Sequence, residues 1–263
     1  MAVRLAHLEH AAQGPEIGPP LVVAHGLFGS GRNFNTLGRR WAAGRRVVLL
    51  DMRNHGSSPW ADEMGYAEQA GDLAETVERL AGGQALVLGH SMGGKAAMAL
   101  ALTRPELLAG LIVADIAPMA YAHTHLPYVH AMQAVDLGRV RRRSDADPML
   151  ADGVPDPMLR AFLLQNLVVE DGTARWRINL PVIEREMPRL TGWPEDWPHS
   201  RFGGPALFVH GGASDYLPPE IRERTAELFP AAEIEAVEGA GHWLHAEKPA
   251  EFAAVVERWL ARQ

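Results

Sequence analysis

The order of apolar runs predicts a three-layer α/β fold, a mostly parallel sheet of about eight strands flanked by helices, with a helical cap inserted after about the sixth. Three observations carry this. Short apolar runs bounded by Gly and Pro recur along the chain, amphipathic segments of helical spacing lie between them, and the alternation stops between residues 119 and 200. The runs come first at residues 21–24 and 47–50, then at 85–88, 111–114, 206–209 and 234–237. Each is continuous rather than alternating, as suits a strand buried on both faces of a parallel sheet. Residues 3–10 are expected to add one or two antiparallel edge strands.

The helices follow from spacing. Across residues 67–81, Ala70, Leu73, Ala74, Val77, Leu80 and Ala81 recur every three or four positions. The last helix opens at Pro249, where a missing N–H costs nothing, and presents Phe252, Val255, Val256, Trp259 and Leu260 on one face. Residues 119–200 hold helical patterns and prolines, among them Pro127, Pro148, Pro155, Pro157, Pro181 and Pro188, without a convincing buried parallel strand. A structureless loop of that length is improbable in a compact domain, so the stretch is expected to fold as a mostly helical cap. The division expected is a core of residues 1–118 and 201–263 and a cap of residues 119–200.

Composition narrows the function. A 263-residue chain that is 47% hydrophobic can bury its own core, which excludes disorder. With no cysteine there is no disulfide scaffold, zinc ribbon or cysteine nucleophile. The net charge of −7 argues against a nucleic-acid partner. The one basic cluster, Arg139, Arg141, Arg142 and Arg143, stands beside Asp145 and Asp147 and reads as a solvated helix end. The first residues lack the apolar run of a signal peptide, and no stretch approaches the ~20 apolar residues of a span. A soluble, cytoplasmic protein without a membrane partner is expected.

The strongest chemical signal is Gly89-His90-Ser91-Met92-Gly93-Gly94, between a strand run and a helical run. Gly-x-Ser-x-Gly in that setting is a nucleophile elbow, in which the serine occupies a strained turn at the head of a helix. Ser91 is the candidate nucleophile. Serine needs a general base, since its own pKa leaves almost no alkoxide at neutral pH. Among twelve histidines, His242 in Gly239-Ala240-Gly241-His242-Trp243 follows the last strand, at the sheet edge where Ser91 is expected. His245 is expected to cap the following helix, and His90 to point into packing.

The acid that orients His242 has two candidates. Asp115 directly ends the run 111–114, and Asp215 follows the next run within Gly211-Gly212-Ala213-Ser214-Asp215. Both fit the order Ser, Asp, His, and position leaves the pair open. Oxyanion donors are expected from the Met92 amide and from the turn His25-Gly26-Leu27-Phe28-Gly29, through Leu27 or alternatively Phe28. The polar segment from Asp51 to Pro59 is expected to brace these loops. His123, His125 and His130 are interrupted by Pro127 and lack carboxylates, so no metal site is expected.

Taken together these motifs resemble the α/β-hydrolase superfamily over essentially the whole chain. More narrowly, His25-Gly26-Leu27-Phe28-Gly29-Ser30 with Asn33-Phe34, Asp51-Met52-Arg53-Asn54-His55-Gly56 and Asp115-Ile116-Ala117-Pro118 resemble one branch. Leu163-Leu164-Gln165-Asn166-Leu167 and Trp176-Arg177-Ile178-Asn179-Leu180 are similar to its cap. That branch holds small bacterial acyl esterases and acyl-CoA thioesterases, and mitochondrial abhydrolase-domain esterases. The resemblance implies the α/β-hydrolase fold and favours Asp115 as the acid, since relatives often carry a non-acidic residue where this chain has Asp215; this chain departs by having both.

The expectation is a serine hydrolase of esters or thioesters with short to medium acyl chains, working through an acyl-enzyme without cofactor or metal. Phe28, Met119, Phe162 and Trp243 are the candidate walls for the acyl chain, and the protein is expected to be a monomer or homodimer. A carbon–carbon bond hydrolase or a cofactor-free haloperoxidase would use the same triad. A small-molecule receptor retaining the pocket is the non-catalytic alternative. Dehalogenases and epoxide hydrolases are disfavoured, because they want an aspartate where Ser91 stands.

Overall fold

The computed structural model describes residues 1–194 and 200–263; residues 195–199, within the expected cap, lie outside the described residues. The strands are β1 (His7–His10), β2 (Leu21–Ala24), β3 (Val47–Leu50), β4 (Ala85–His90), β5 (Leu108–Ala114), β6 (Leu167–Glu170), β7 (Thr173–Trp176), β8 (Ala206–Gly211) and β9 (Ala232–Val237). The helices are α1 (Asn35–Trp41), α2 (Tyr66–Leu80), α3 (Met92–Thr103), α4 (Leu126–Gln133), α5 (Arg143–Leu150), α6 (Pro157–Leu163), α7 (Leu180–Thr191), α8 (Arg222–Leu228), α9 (Leu244–Glu247) and α10 (Pro249–Leu260).

Seven strands form the main sheet in the order β1-β3-β2-β4-β5-β8-β9, parallel throughout except for β1. The sheet is one strand smaller than expected, because residues 3–10 supply only β1. The insertion therefore follows the fifth strand rather than the sixth. Along β2, Val22 and Ala24 pack toward α2, α3 and the insertion, while Leu21 and Val23 face α1 and α10. That alternation is the two-residue period of a strand with both faces covered. The exceptions are the two edge strands, β1, which is largely exposed, and β9, whose Glu233 and Glu235 are held by Arg262 and Arg258.

Two helices fix the site. From Met92 to Leu102, α3 is buried on every side, so it runs through the core directly behind Ser91. α10 lies on the opposite face and buries Phe252, Val255, Val256, Trp259 and Leu260.

Between β5 and β8 the described residues hold α4 to α7 and an antiparallel hairpin, β6 paired with β7. The hairpin is absent from the sequence expectation, although Asp171-Gly172 between two short apolar runs is a hairpin turn signal. Both residues have positive φ, at 50° and 75°. The basic cluster surrounds the start of α5, where Asp145 accepts the Arg141 and Arg142 amides. Among the described residues no helix is long and apolar enough to cross a membrane.

Candidate active site

The C-terminal ends of neighbouring parallel strands converge on one point. β4 ends at His90, and Ser91 takes φ 52° and ψ −117°, a conformation that side chains rarely adopt. Its amide still donates to Ala114 O at 3.0 Å, so the sheet ladder holds the strained residue. A side chain at Gly89 would collide with the Gly93 carbonyl, and one at Gly93 with the carbonyls of Ala24 and His25. The elbow needs both glycines for that close backbone approach.

One strand over, Asp115 directly follows β5 with φ 51° and is buried. Its Oδ1 accepts the Gly211 amide at 2.8 Å, and its Oδ2 accepts the Ser214 hydroxyl at 2.5 Å. The same Oδ2 lies 2.7 Å from His242 Nδ1, and His242 Nε2 lies 3.0 Å from Ser91 Oγ. An ionised carboxylate only accepts, so Nδ1 carries the ring proton and Nε2 is free to accept from serine. Asp215, the other candidate, is exposed, and it is Asp115 that bonds the imidazole.

Three contacts hold His242. Glu247 accepts the amides on either side of it, Gly241 at 2.7 Å and Trp243 at 3.2 Å. His90 Nε2 donates to the His242 carbonyl at 2.9 Å, so His90 points into packing. Tyr216 stacks on the His242 ring at 3.9 Å and 20°. Glu247 and Tyr216 lack a sequence motif; their place behind His242 is set by how the loops fold. His245 does not cap a helix. It lies inside α9, buried and stacked on Phe34 at 4.5 Å, because α9 turns that side of the loop toward the core.

The turn after β2 settles around two buried imidazoles. His25 Nδ1 donates to Gly26 O, and its Nε2 accepts the Met52 amide. His55 Nε2 accepts the Phe28 amide at 3.2 Å, which engages that donor. Among the described residues, the Leu27 and Met92 amides have no protein acceptor. Burial pushes His55 down to about 3, so it is neutral and able to accept at physiological pH.

The segment from Asp51 to Pro59 ties this edge together. Asp51 accepts the Gly31 and Ser57 amides, and Arg53 pairs with Asp72, both side chains fully enclosed. Asn54 reaches the insertion, accepting from the Asn179 backbone amide at 2.9 Å.

A cleft of about 190 Å³ opens over Ser91 and His242, and Phe28, Phe162 and Trp243 line it. Met119 lines neither this cleft nor the smaller hollow beside it, because the chain leaving β5 packs it partly buried against the core. Phe34, Tyr128 and Tyr216 also line the cleft, and the two tyrosines have no signal in the sequence beyond their residue type. His125 also lines it, and burial pushes that imidazole down to about 4. His123 accepts from or donates to the Tyr216 hydroxyl, and His130 pairs with exposed Glu184. No cluster of three or more metal-binding side chains occurs among the described residues.

A strained serine at a strand-to-helix turn, under a seven-stranded sheet of this order, defines an α/β-hydrolase. Residues 19–249 match the family described as the alpha/beta hydrolase fold, and the chain belongs to that family and is a hydrolase. It is 42% identical to the sn-1-specific diacylglycerol lipase ABHD11 of Xenopus laevis, over 91% of this chain and 78% of that protein. It is 36% identical to esterase YbfF of Escherichia coli (strain K12), over 95% of this chain and 96% of that protein. A solved structure titled "Marine microorganism esterase" superposes with a TM-score of 0.91 at 34% identity, covering 98% of this chain and all of that one.

Proposed function

We propose that the protein is a serine esterase, cleaving carboxylic esters or thioesters of short to medium acyl chain through an acyl-enzyme. Ser91 attacks the acyl carbon as His242 Nε2 takes its proton, and Asp115 holds the imidazole in the tautomer that can accept it. The oxyanion forms between the Leu27 and Met92 amides, at the positive end of α3. Leu27 is preferred to Phe28 because the Phe28 amide already donates to His55. His242 then protonates the leaving alcohol or thiol, and water repeats the sequence to release the acid.

The observation that carries this reading is the unbroken hydrogen-bonded line from Ser91 through His242 to Asp115 at the floor of an apolar cleft. The relatives named as esterases and lipases support ester cleavage as the coarse activity. We divide the chain into a hydrolase core, residues 1–118 and 201–263, and a cap, residues 119–200. The decisive test offers p-nitrophenyl esters beside acyl-CoA thioesters and labels with a fluorophosphonate. Steady turnover with labelling at Ser91 is the expected result. Labelling without turnover of any ester or thioester would point to a receptor that has kept the pocket.

A further inference from the structure

Two hollows of unlike size meet at Ser91. The larger, about 190 Å³, is lined by His242 together with Phe28, Tyr128, Phe162 and Trp243. The smaller, about 30 Å³, is lined by Met92, Lys95, Ile116, Tyr121 and Leu190, and His242 is not part of its wall. Ser91 and Leu27, with His125 and Tyr216, belong to both, while His242 lines only the larger. A reacting carbon bonded to Ser91 Oγ, with its oxygen toward Leu27 and Met92, therefore has one substituent to place on each side.

The chemistry decides which substituent goes where. The Ser91 Oγ–C bond forms as the Oγ proton passes to His242 Nε2. The C–O bond to the alcohol then breaks, and that oxygen takes the proton from Nε2. The leaving oxygen must stand on the side His242 lines, so the alcohol occupies the large aromatic cleft. The acyl substituent occupies the small hollow. Water then enters on the alcohol's side, its oxygen bonding the acyl carbon as it gives a proton to His242 Nε2; the Ser91 Oγ–C bond breaks, Oγ takes that proton back, and ester plus water has become acid plus alcohol.

The small hollow is rigid as well as short. Lys95, one helical turn beyond Ser91, donates to Thr191 O at 3.0 Å and Gly192 O at 2.6 Å. Its ammonium also lies over the Tyr121 ring at 4.6 Å from the centroid. A lysine so held closes the end of the hollow, and Ile116 and Leu190 are both buried beside it. At ~10–15 Å³ of such space per water-sized group, the hollow admits about two or three heavy atoms beyond the reacting carbon.

From this we infer that the substrates are short-acyl esters, acetyl to butyryl, of large apolar alcohols. The inference rests on the serine-esterase reading and sharpens it. Phe28, Phe162 and Trp243 then wall the alcohol and not the acyl chain, and Lys95, Ile116 and Leu190 set acyl length.

The test uses two ester series on the full-length chain. With p-nitrophenol as the constant leaving group, kcat/KM is expected to fall about tenfold or more between butyrate and octanoate. With acetate as the constant acyl group, it is expected to rise about tenfold from ethanol to octanol, alcohols of similar acidity. Leu190→Ala should carry the acyl optimum to longer chains and leave the order of the alcohol series alone. Phe162→Ala should flatten the alcohol series only. If Leu190→Ala fails to fold, the two series on the unaltered protein still decide. An acyl series that stays flat or rises to octanoate would overturn the inference and leave the esterase reading standing. Absence of turnover with every ester, together with no fluorophosphonate label on Ser91, would overturn both.

Discussion

The sheet's C-terminal edge and the segment inserted above it are built by different means. At the edge, Phe28, Asn54, Ser91 and Asp115 follow four neighbouring strands, all with positive φ and all but Ser91 buried. Among the described residues of the insertion, the one such residue is Asp171, exposed at an ordinary hairpin turn. The edge is stiffened by enclosed polar contacts such as Arg53–Asp72, whereas the insertion carries exposed pairs such as His130–Glu184. Strained backbone persists only where surroundings over-determine it, which is why it gathers at the enclosed edge, while the insertion adds His125, Tyr128, Leu159 and Phe162 to the cleft wall.

That contrast is most exposed to failure at the acid. Asp115→Asn should lower kcat by about 10⁴, since the amide can hold the wrong imidazole tautomer, while Asp215→Asn should leave it unchanged. Steady-state kinetics on the two variants decide it, and the reverse result would move the acid to the exposed loop.

Stability sharpens the comparison next. Removing one partner of an enclosed ion pair strands the other charge, so Arg53→Met should destabilise the fold by about 3–5 kcal/mol in urea melts. Activity per folded molecule should survive, because Arg53 touches no reacting atom.

Acidity acts on the same edge. His55 and His245 are buried with their pKa pushed down to about 3, and burial also lowers His25 and His90. The unfolded chain takes up protons near pH 6.5 that the fold refuses, so stability falls as pH drops below that value toward about 3. Each of His55 and His245 should cost about 2 kcal/mol by pH 5, read as a falling urea midpoint. A midpoint constant from pH 7.5 to 5 would contradict their neutral burial.

Smaller effects are expected where the two regions join. Asn166 Nδ2 donates to Phe28 O at 2.8 Å, tying the insertion to the turn that carries Leu27. Asn166→Ala should cost about 1–3 kcal/mol, expressed in kcat/KM as well as in stability. At the exposed end of the scale, Glu184→Gln should change neither melting nor kinetics measurably.

Much of this is legible in the sequence. The elbow around Ser91 and the loop of His242 are local motifs, and continuous apolar runs mark strands buried on both faces. The β6–β7 hairpin is hard to read from sequence because its strands are short and partly exposed, leaving only Asp171-Gly172 as a signal. Met119 lies away from the cleft, and its residue type says nothing of which way the chain turns on leaving β5.

The chain's own pattern determined the layers, the strained serine and the two aspartates that could serve it. Packing alone decided that Asp115, 127 residues before His242, meets that ring, and that Phe28 spends its amide on His55. Backbone preferences act over a few neighbouring residues and can be read in order along the chain. Which side chains meet across a hundred residues depends on how whole elements pack, and no short stretch encodes that.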